Sequence, residues 1–312
     1  MSAILVGSCS WTDPSLVACG GFYPPGTCTA EGRLRYYATR FPLVEVDSTY
    51  YAPPTERNSL LWVARTPPSF VFDVKAHALL TKHPAEVNLL PTALRGLLPA
   101  WAASQRRVYA DALPDELLEL LWETHRTALA PLAAAGKLGA VLFQFPPWFV
   151  RSRANAAYVS GLPERLPGWK LAIEFRGGGW MEPDSATRTL NLLERAGLAY
   201  VCVDEPQVSD ASTPPTVAAT AELAMVRFHG RNLRMWNAKT QAASERFKYL
   251  YSDEELHEWV PRVQELATQA RTVHVLFNNN YEDWGMRNAA RMRQMLGGSE
   301  PREPQTLTLP LE

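Results

Sequence analysis

Histidine and cysteine are scarce in this chain, with six of one and four of the other among 312 residues. The cysteines, Cys9, Cys19, Cys28 and Cys202, form no C-x-x-C pair, which excludes zinc-ribbon and thioredoxin-type sites. Cys19 and Cys28 flank the turn at residues 20–26 and lie near enough in sequence to approach each other, but reduced thiols are the default inside a cell. There is no H-x-H, no D-x-D and no histidine pair on one helix, so no compact metal-binding motif stands out. No G-x-G-x-x-G follows the first strand, where Gly7-Ser8-Cys9-Ser10-Trp11 stands, which argues against an open dinucleotide-binding sheet. No apolar stretch approaches the roughly 20 residues that span a bilayer. The start of the chain shows no basic region or cleavage site, so a cytoplasmic protein without signal peptide is expected. The net charge of -1 supplies no global basic field for nucleic acid.

What the chain does have is eight short apolar segments, at residues 4–6, 43–46, 70–74, 140–143, 171–173, 199–203, 223–228 and 273–277. Side chains two apart share a face of a strand. One face reads Val44 and Val46, Phe72 and Val74, Val141 and Phe143, Val201 and Val203, Val226 and Phe228, Val273 and Val275. The other reads Glu45 and Asp47, Asp73, Lys75 and His77, Gln144, Glu174 and Arg176, Asp204, Arg227 and His229, His274 and Asn278. Charges enclosed on such a face must be paired or neutralised, which is costly unless they form a site. A self-satisfied polar network in a barrel core is the bland alternative.

Helical patterns separate these segments. Thr55 is a predicted N-cap for a helix over 55–65, and the longest pattern covers 114–135 and stops at Gly136. Further helices are expected over 29–40, 152–165, 184–196 with Asp184 as cap, and 283–296. Ser252-Asp253-Glu254-Glu255 reads as a capping box opening a helix to residue 270, with Pro261 expected to kink it. Strand and helix alternating eight times predict an α/β fold, a single (β/α)8 TIM-type barrel over residues 1–297 with a C-terminal tail at 298–312. A long insertion after the third strand, 78–113, carries Leu89, Leu90, Leu97, Leu98 and Trp101 and is expected to fold over the barrel mouth as a lid. Residues 206–221 are rich in Pro, Ser, Thr and Ala and predict little helix.

The motifs Val6-Gly7-Ser8-Cys9-Ser10-Trp11, Phe22-Tyr23-Pro24-Pro25-Gly26, Val44-Glu45-Val46-Asp47-Ser48-Thr49-Tyr50-Tyr51 and Phe72-Asp73-Val74-Lys75-Ala76 resemble the domain-of-unknown-function 72 family (YecE-like). So do Phe143-Gln144-Phe145-Pro146-Pro147, Glu174-Phe175-Arg176, Arg227-Phe228-His229-Gly230-Arg231 and Phe277-Asn278-Asn279. The matches run in order along almost the whole chain. The resemblance implies a (β/α)8 barrel and no settled activity. Two departures stand out: Gly177 follows Arg176 where the family commonly has a histidine, and Cys9 stands where many members have glycine.

Active sites of such barrels sit at the C-terminal ends of the strands. The acid–base candidates there are Glu174, Asp204, His229, Asp47 and Lys75. Arg176, Arg227 and Arg231 are the anion candidates, because a guanidinium fork matches phosphate or carboxylate, although Arg176 and Arg227 could equally neutralise Glu174 and Asp204. Gln144, Asn278, Asn279, Ser48, Trp11 and His77 are expected to complete the substrate contacts. Lys75 is expected to bridge a carboxylate, with Asp73 nearest on its face, or less readily to form a Schiff base. No cofactor is expected. A divalent metal on Glu45, Asp47, Glu174, Asp204 and His229 is an alternative, with ligand types right for magnesium or manganese. Trp11, Trp148 and Trp180 are stacking candidates or packed loop aromatics; His125 and His257 are expected on helix surfaces and His274 in the core. The function expected is acid–base chemistry, hydrolysis or isomerisation, on a small polar anionic substrate that bears phosphate. A non-catalytic nucleotide or nucleic-acid binding module and a glycoside hydrolase-like enzyme are the alternatives; the latter lacks the usual carboxylates after strands four and seven.

Overall fold

A computed structural model describes residues 2–177, 179–207, 212–234 and 247–298. Eight parallel strands close into a barrel: β1 (Ala3–Cys9), β2 (Leu43–Val46), β3 (Val71–Lys75), β4 (Leu138–Phe145), β5 (Leu171–Phe175), β6 (Ala199–Asp204), β7 (Leu223–Phe228) and β8 (Thr272–Phe277). Each pairs with its neighbour in chain order, and β8 closes on β1. This is the (β/α)8 architecture that the strand–helix alternation predicts.

The core has two layers. Outward-facing Val44, Phe72, Val74, Phe143, Ile173 and Val275 pack under the helices. Inward-facing Leu43, Leu142, Ala172, Val201, Val203, Met225 and Leu276 fill the barrel. Deeper inside, His274 Nδ1 bonds Asp73 Oδ2 at 2.9 Å, so His274 is a core histidine as expected, and Asp73 is spent there rather than on Lys75. Gly139 makes room for this pair, since a Cβ there would lie 2.4 Å from Asp73 Oδ1. Gly7 lets β1 and β2 close up, since its Cβ would fall 2.0 Å from the Leu43 carbonyl oxygen.

Local signals account for the helix ends. Thr29 and Thr55 cap the helices Ala30–Arg40 and Glu56–Ala64, and Ser252 with Glu255 forms the expected capping box on Asp253–Gln269. Asp184 does not cap: the helix is Pro183–Arg195, with Pro183 in its first turn and Glu182 at the cap position. His125 is not on a surface but fully buried, because it falls on the stripe of Leu121, Trp122, Leu129 and Leu132 in the helix Asp115–Ala134. The described part of 206–221 carries no helix, and residues 299–312 of the expected tail lie outside the described residues.

One larger expectation is corrected. In β6, Val201 and Val203 face into the barrel and Asp204 faces out. Register dictates this: Val203 sits beside Arg227 and Val201 beside Met225, and paired residues of parallel strands point the same way. The insertion leaves the C-terminal end of β3 and stays at the mouth end of the barrel. It contains the turn Ala78–Thr81, a ribbon of Ala85–Glu86 with Arg107–Val108, and the short helices Thr92–Arg95 and Ala100–Ala103. His83 touches Tyr50 beyond β2 and Trp148 beyond β4, which places this part of the insertion along one edge of the mouth.

Candidate functional site

Arg227 stands at the centre of the barrel mouth, fully buried. Its Nε donates to Glu45 Oε2 at 2.9 Å and its Nη2 to Glu45 Oε1 at 2.6 Å, a bidentate pair. Its Nη1 donates to Glu174 Oε2, and Cys9 Sγ lies 3.7 Å from Nη2. The second Glu174 oxygen accepts from Gln144 Nε2 at 2.6 Å and meets His229 Nε2 at 3.0 Å. Asn278 Nδ2 lies 2.9 Å from His229 Nδ1, and Asn280 Nδ2 is shared between Asn278 Oδ1 and the Cys9 carbonyl. The strands impose this set: Glu45, Gln144, Glu174 and Arg227 are inward positions on β2, β4, β5 and β7.

The electrostatics follow from enclosure. Burial pushes the Glu174 carboxyl up, but Arg227 and His229 outweigh it and hold the group well below the usual carboxylate range. Burial drives His229 down to about 3, against the pull of Glu174. The ring is therefore neutral at pH 7. With an amide donating to Nδ1, the proton sits on Nε2 and is donated to Glu174. Both ring nitrogens are engaged, so His229 orients Glu174 rather than standing ready as a free base.

Burial first, and then the neighbouring Asp47, raise the Glu45 carboxyl. Asp47 shifts the other way: burial opposes ionisation, but Lys75, Glu45 and Arg227 together lower it. Lys75 Nζ stands 3.9 Å from Asp47 Oδ1 and 4.8 Å over the Tyr50 ring. Among the mouth carboxylates Asp47 is the accessible one, its side chain 25% exposed while Glu45 and Glu174 are sealed. Its Oδ1 is nonetheless buried, lies 4.0 Å from Arg227 Nη2, and accepts no hydrogen bond from the protein.

On the far side of the mouth, Arg176 bonds Glu205 at 2.5 Å and approaches Glu174 at 3.5 Å. Burial raises the Glu205 carboxyl despite Arg176. A cavity of about 600 Å³ opens beside this pair, lined by Gly177, Met181, Gln207 and Thr213.

The sequence-derived residues thus divide. Asp47, Lys75, Gln144, Glu174, Arg176, Arg227, His229 and Asn278 converge on the mouth. Asp204 and Arg231 do not. Asp204 turns toward the helix Asp253–Gln269 and accepts from Tyr251 at 2.7 Å, Trp259 at 2.7 Å and Arg231 at 2.8 Å. Arg231 also donates to Glu258. Asn279 faces the last helix, donating to Asn288 Oδ1 and the Tyr249 carbonyl. Trp11 packs in the core against Trp62 and Phe72, and Trp180 stacks at 4.3 Å on Phe175. His77 is fully buried, accepts from the Leu79 backbone, and is held by burial at about 3. Ser48 is exposed on the turn Ser48–Tyr50.

Sequence reasoning missed Glu205 and the bond between Arg227 and Glu45. Glu205 was hidden by the inverted register of β6, since it shares a face with Val201 and Val203. Cys9, Glu45 and Asp47 are the described group whose ligand atoms come within 4.8 Å of one another. They do not fit a divalent ion as they stand, because the Arg227 guanidinium already occupies both Glu45 oxygens and lies against Cys9. No helix among the described residues is long and apolar enough to cross a membrane.

Fold and site define a (β/α)8 barrel with an ion-paired polar centre at the C-terminal ends of its strands. The chain belongs to the family described as "Protein of unknown function DUF72", whose model matches residues 5–308. The UPF0759 protein YunF of Bacillus subtilis is 32% identical over 308 residues, covering 96% of this chain and 98% of that protein. A DUF72 family protein of Enterococcus faecalis has a crystal structure with TM-score 0.75 and 26% identity, over 95% of this chain and 96% of that one. A DUF72 family protein of Thermotoga maritima aligns with TM-score 0.72 and 30% identity, over 95% and 99%.

Proposed function

We propose that the protein is an enzyme that performs acid–base chemistry at the barrel mouth on a small polar substrate bearing one anionic group, such as a phosphate ester. The observation that carries this is Asp47. It is the partly exposed carboxylate of the mouth, and Lys75 and Arg227 favour its ionised form. An ionised carboxylate that reaches the mouth is suited to take a proton from a hydroxyl or a water, a step common to hydrolysis and isomerisation. Lys75 and Arg176, 14% and 19% exposed, are the mouth cations within reach of a substrate anion. Arg227 is sealed beneath them and fixes Glu45 and Glu174, so it is a positioning residue. Each mouth cation already has a carboxylate partner, which suits a single anionic group better than a run of phosphates.

p-Nitrophenyl phosphate and bis(p-nitrophenyl) phosphate are the first probes of turnover. Asp47→Asn is expected to lower kcat by about 100-fold or more while inorganic phosphate still binds. Lys75→Met is expected to weaken phosphate about tenfold in calorimetry, the scale of one lost charge-assisted contact. Full turnover in Asp47→Asn removes it as the base. A wild type that neither turns over these esters nor binds phosphate contradicts the proposal.

A further inference from the structure

Four aromatic rings lie in contact along one edge of the mouth beside Lys75, in the order Tyr51, Tyr50, His83 and Trp148, and the acid–base chemistry does not use them. Lys75 lies over Tyr50. Tyr50 meets Tyr51 edge-on with centroids 5.0 Å apart, and meets His83 at 5.3 Å. His83 in turn meets Trp148 at 5.7 Å. Three separate segments supply the row: the turn after β2, the insertion and the loop after β4. Tyr51 is 56% exposed and Trp148 57% exposed. Two large rings left in water at the edge of a polar mouth forgo the burial that aromatic side chains usually obtain.

Two polar atoms along the row are turned back on the protein. Trp148 Nε1 points at the Lys82 carbonyl at 3.4 Å, and His83 Nδ1 lies 2.9 Å from Thr81 Oγ1. Burial holds the His83 ring at about 4, so it is neutral at pH 7. The row offers ring surface, with the Tyr50 and Tyr51 hydroxyls at its side. A sugar would need partners for its hydroxyls beside such a surface; a flat aromatic ring needs only the surface.

We infer that Tyr51, His83 and Trp148 form a subsite for an aromatic ring of the substrate, attached to the anionic group that meets Lys75. The subsite depends on the acid–base proposal only for where that anion sits. Stacking on an exposed aromatic ring contributes enough that losing it weakens binding about fivefold or more.

The test uses the full chain, with Trp148→Ala and Tyr51→Ala as variants; both residues are more than half exposed, so the fold is expected to survive. Calorimetry compares inorganic phosphate, phenyl phosphate and cyclohexyl phosphate. Phenyl phosphate is expected to bind about fivefold more tightly than the other two. That advantage should disappear in the variants while inorganic phosphate is unaffected. Benzamide, followed by saturation-transfer NMR, reads the ring subsite without any anion, and its signals should fall several-fold in Trp148→Ala. Phosphate binding with no preference for the phenyl ester overturns the ring subsite and leaves the acid–base proposal standing. Benzamide signals lost in the variants, with no phosphate binding anywhere, support the subsite and count against the anion. Benzamide signals equal in wild type and variants overturn the subsite outright.

Discussion

Arg227 and Arg231 lie four residues apart yet answer to different neighbours, and their substitutions should behave accordingly. Arg227→Met leaves Glu45 and Glu174 buried without their shared cation, and is expected to cost ~3–5 kcal/mol in chemical denaturation. An unchanged midpoint would mean the two carboxyls are protonated in the folded protein. Arg231→Ala takes one of three donors from Asp204, which keeps Tyr251 and Trp259. It is expected to lose ~1–3 kcal/mol and to leave phosphate binding at the mouth unchanged. Weaker phosphate binding in that variant would restore Arg231 to the site. From sequence, Arg231 and Asn279 could not be placed, because they stand on loops, which carry no period that tells an inward from an outward side chain. Lys75, Gln144, Glu174 and Arg227 were legible because each stands on a strand whose alternate positions are apolar, so parity alone places them inside.

At the scale of the element, β6 shows where parity stops being informative. Its residues Ala199, Tyr200, Val201, Cys202 and Val203 are all buried, and an apolar strand covered on both faces has no alternation to read. Only pairing with β7 reveals that Val203 is an inward residue, which moves Asp204 out and Glu205 in. The insertion was legible as a folded excursion from its leucines, but not its particular contacts with Tyr50 and Trp148, which lie far away in sequence. The contact of β1 with β2 offers a test of the barrel geometry itself. Gly7→Ala would drive a Cβ to 2.0 Å from the Leu43 carbonyl oxygen, which the strands can relieve only by separating. A loss of at least ~2 kcal/mol in thermal or urea unfolding is expected, and a neutral substitution would show that β1 and β2 do not approach this closely.

At the scale of the whole molecule, the buried histidines set how stability responds to acid. Burial holds His77 and His229 at about 3 and His125 at about 4, below the usual value near 6.5. The unfolded chain therefore binds more protons than the folded one between these limits. Their stabilising contribution is complete above pH ~6.5 and is lost as pH falls toward 4, with a slope of up to ~1.4 kcal/mol per unit for each histidine. Glu45, raised by burial, acts in the opposite sense and offsets part of the loss. Urea midpoints measured from pH 7 to 5 should fall, and His125→Gln should flatten the fall; a pH-independent midpoint would mean the rings are already charged when folded. The most direct test of the mouth as the place where this barrel meets its substrate is a crystal soaked in phosphate. Density for the anion within hydrogen-bonding distance of Lys75 Nζ, about 3 Å, and beside Asp47 is the expected result. Density at Arg231, or none at the mouth at saturating phosphate, would contradict it.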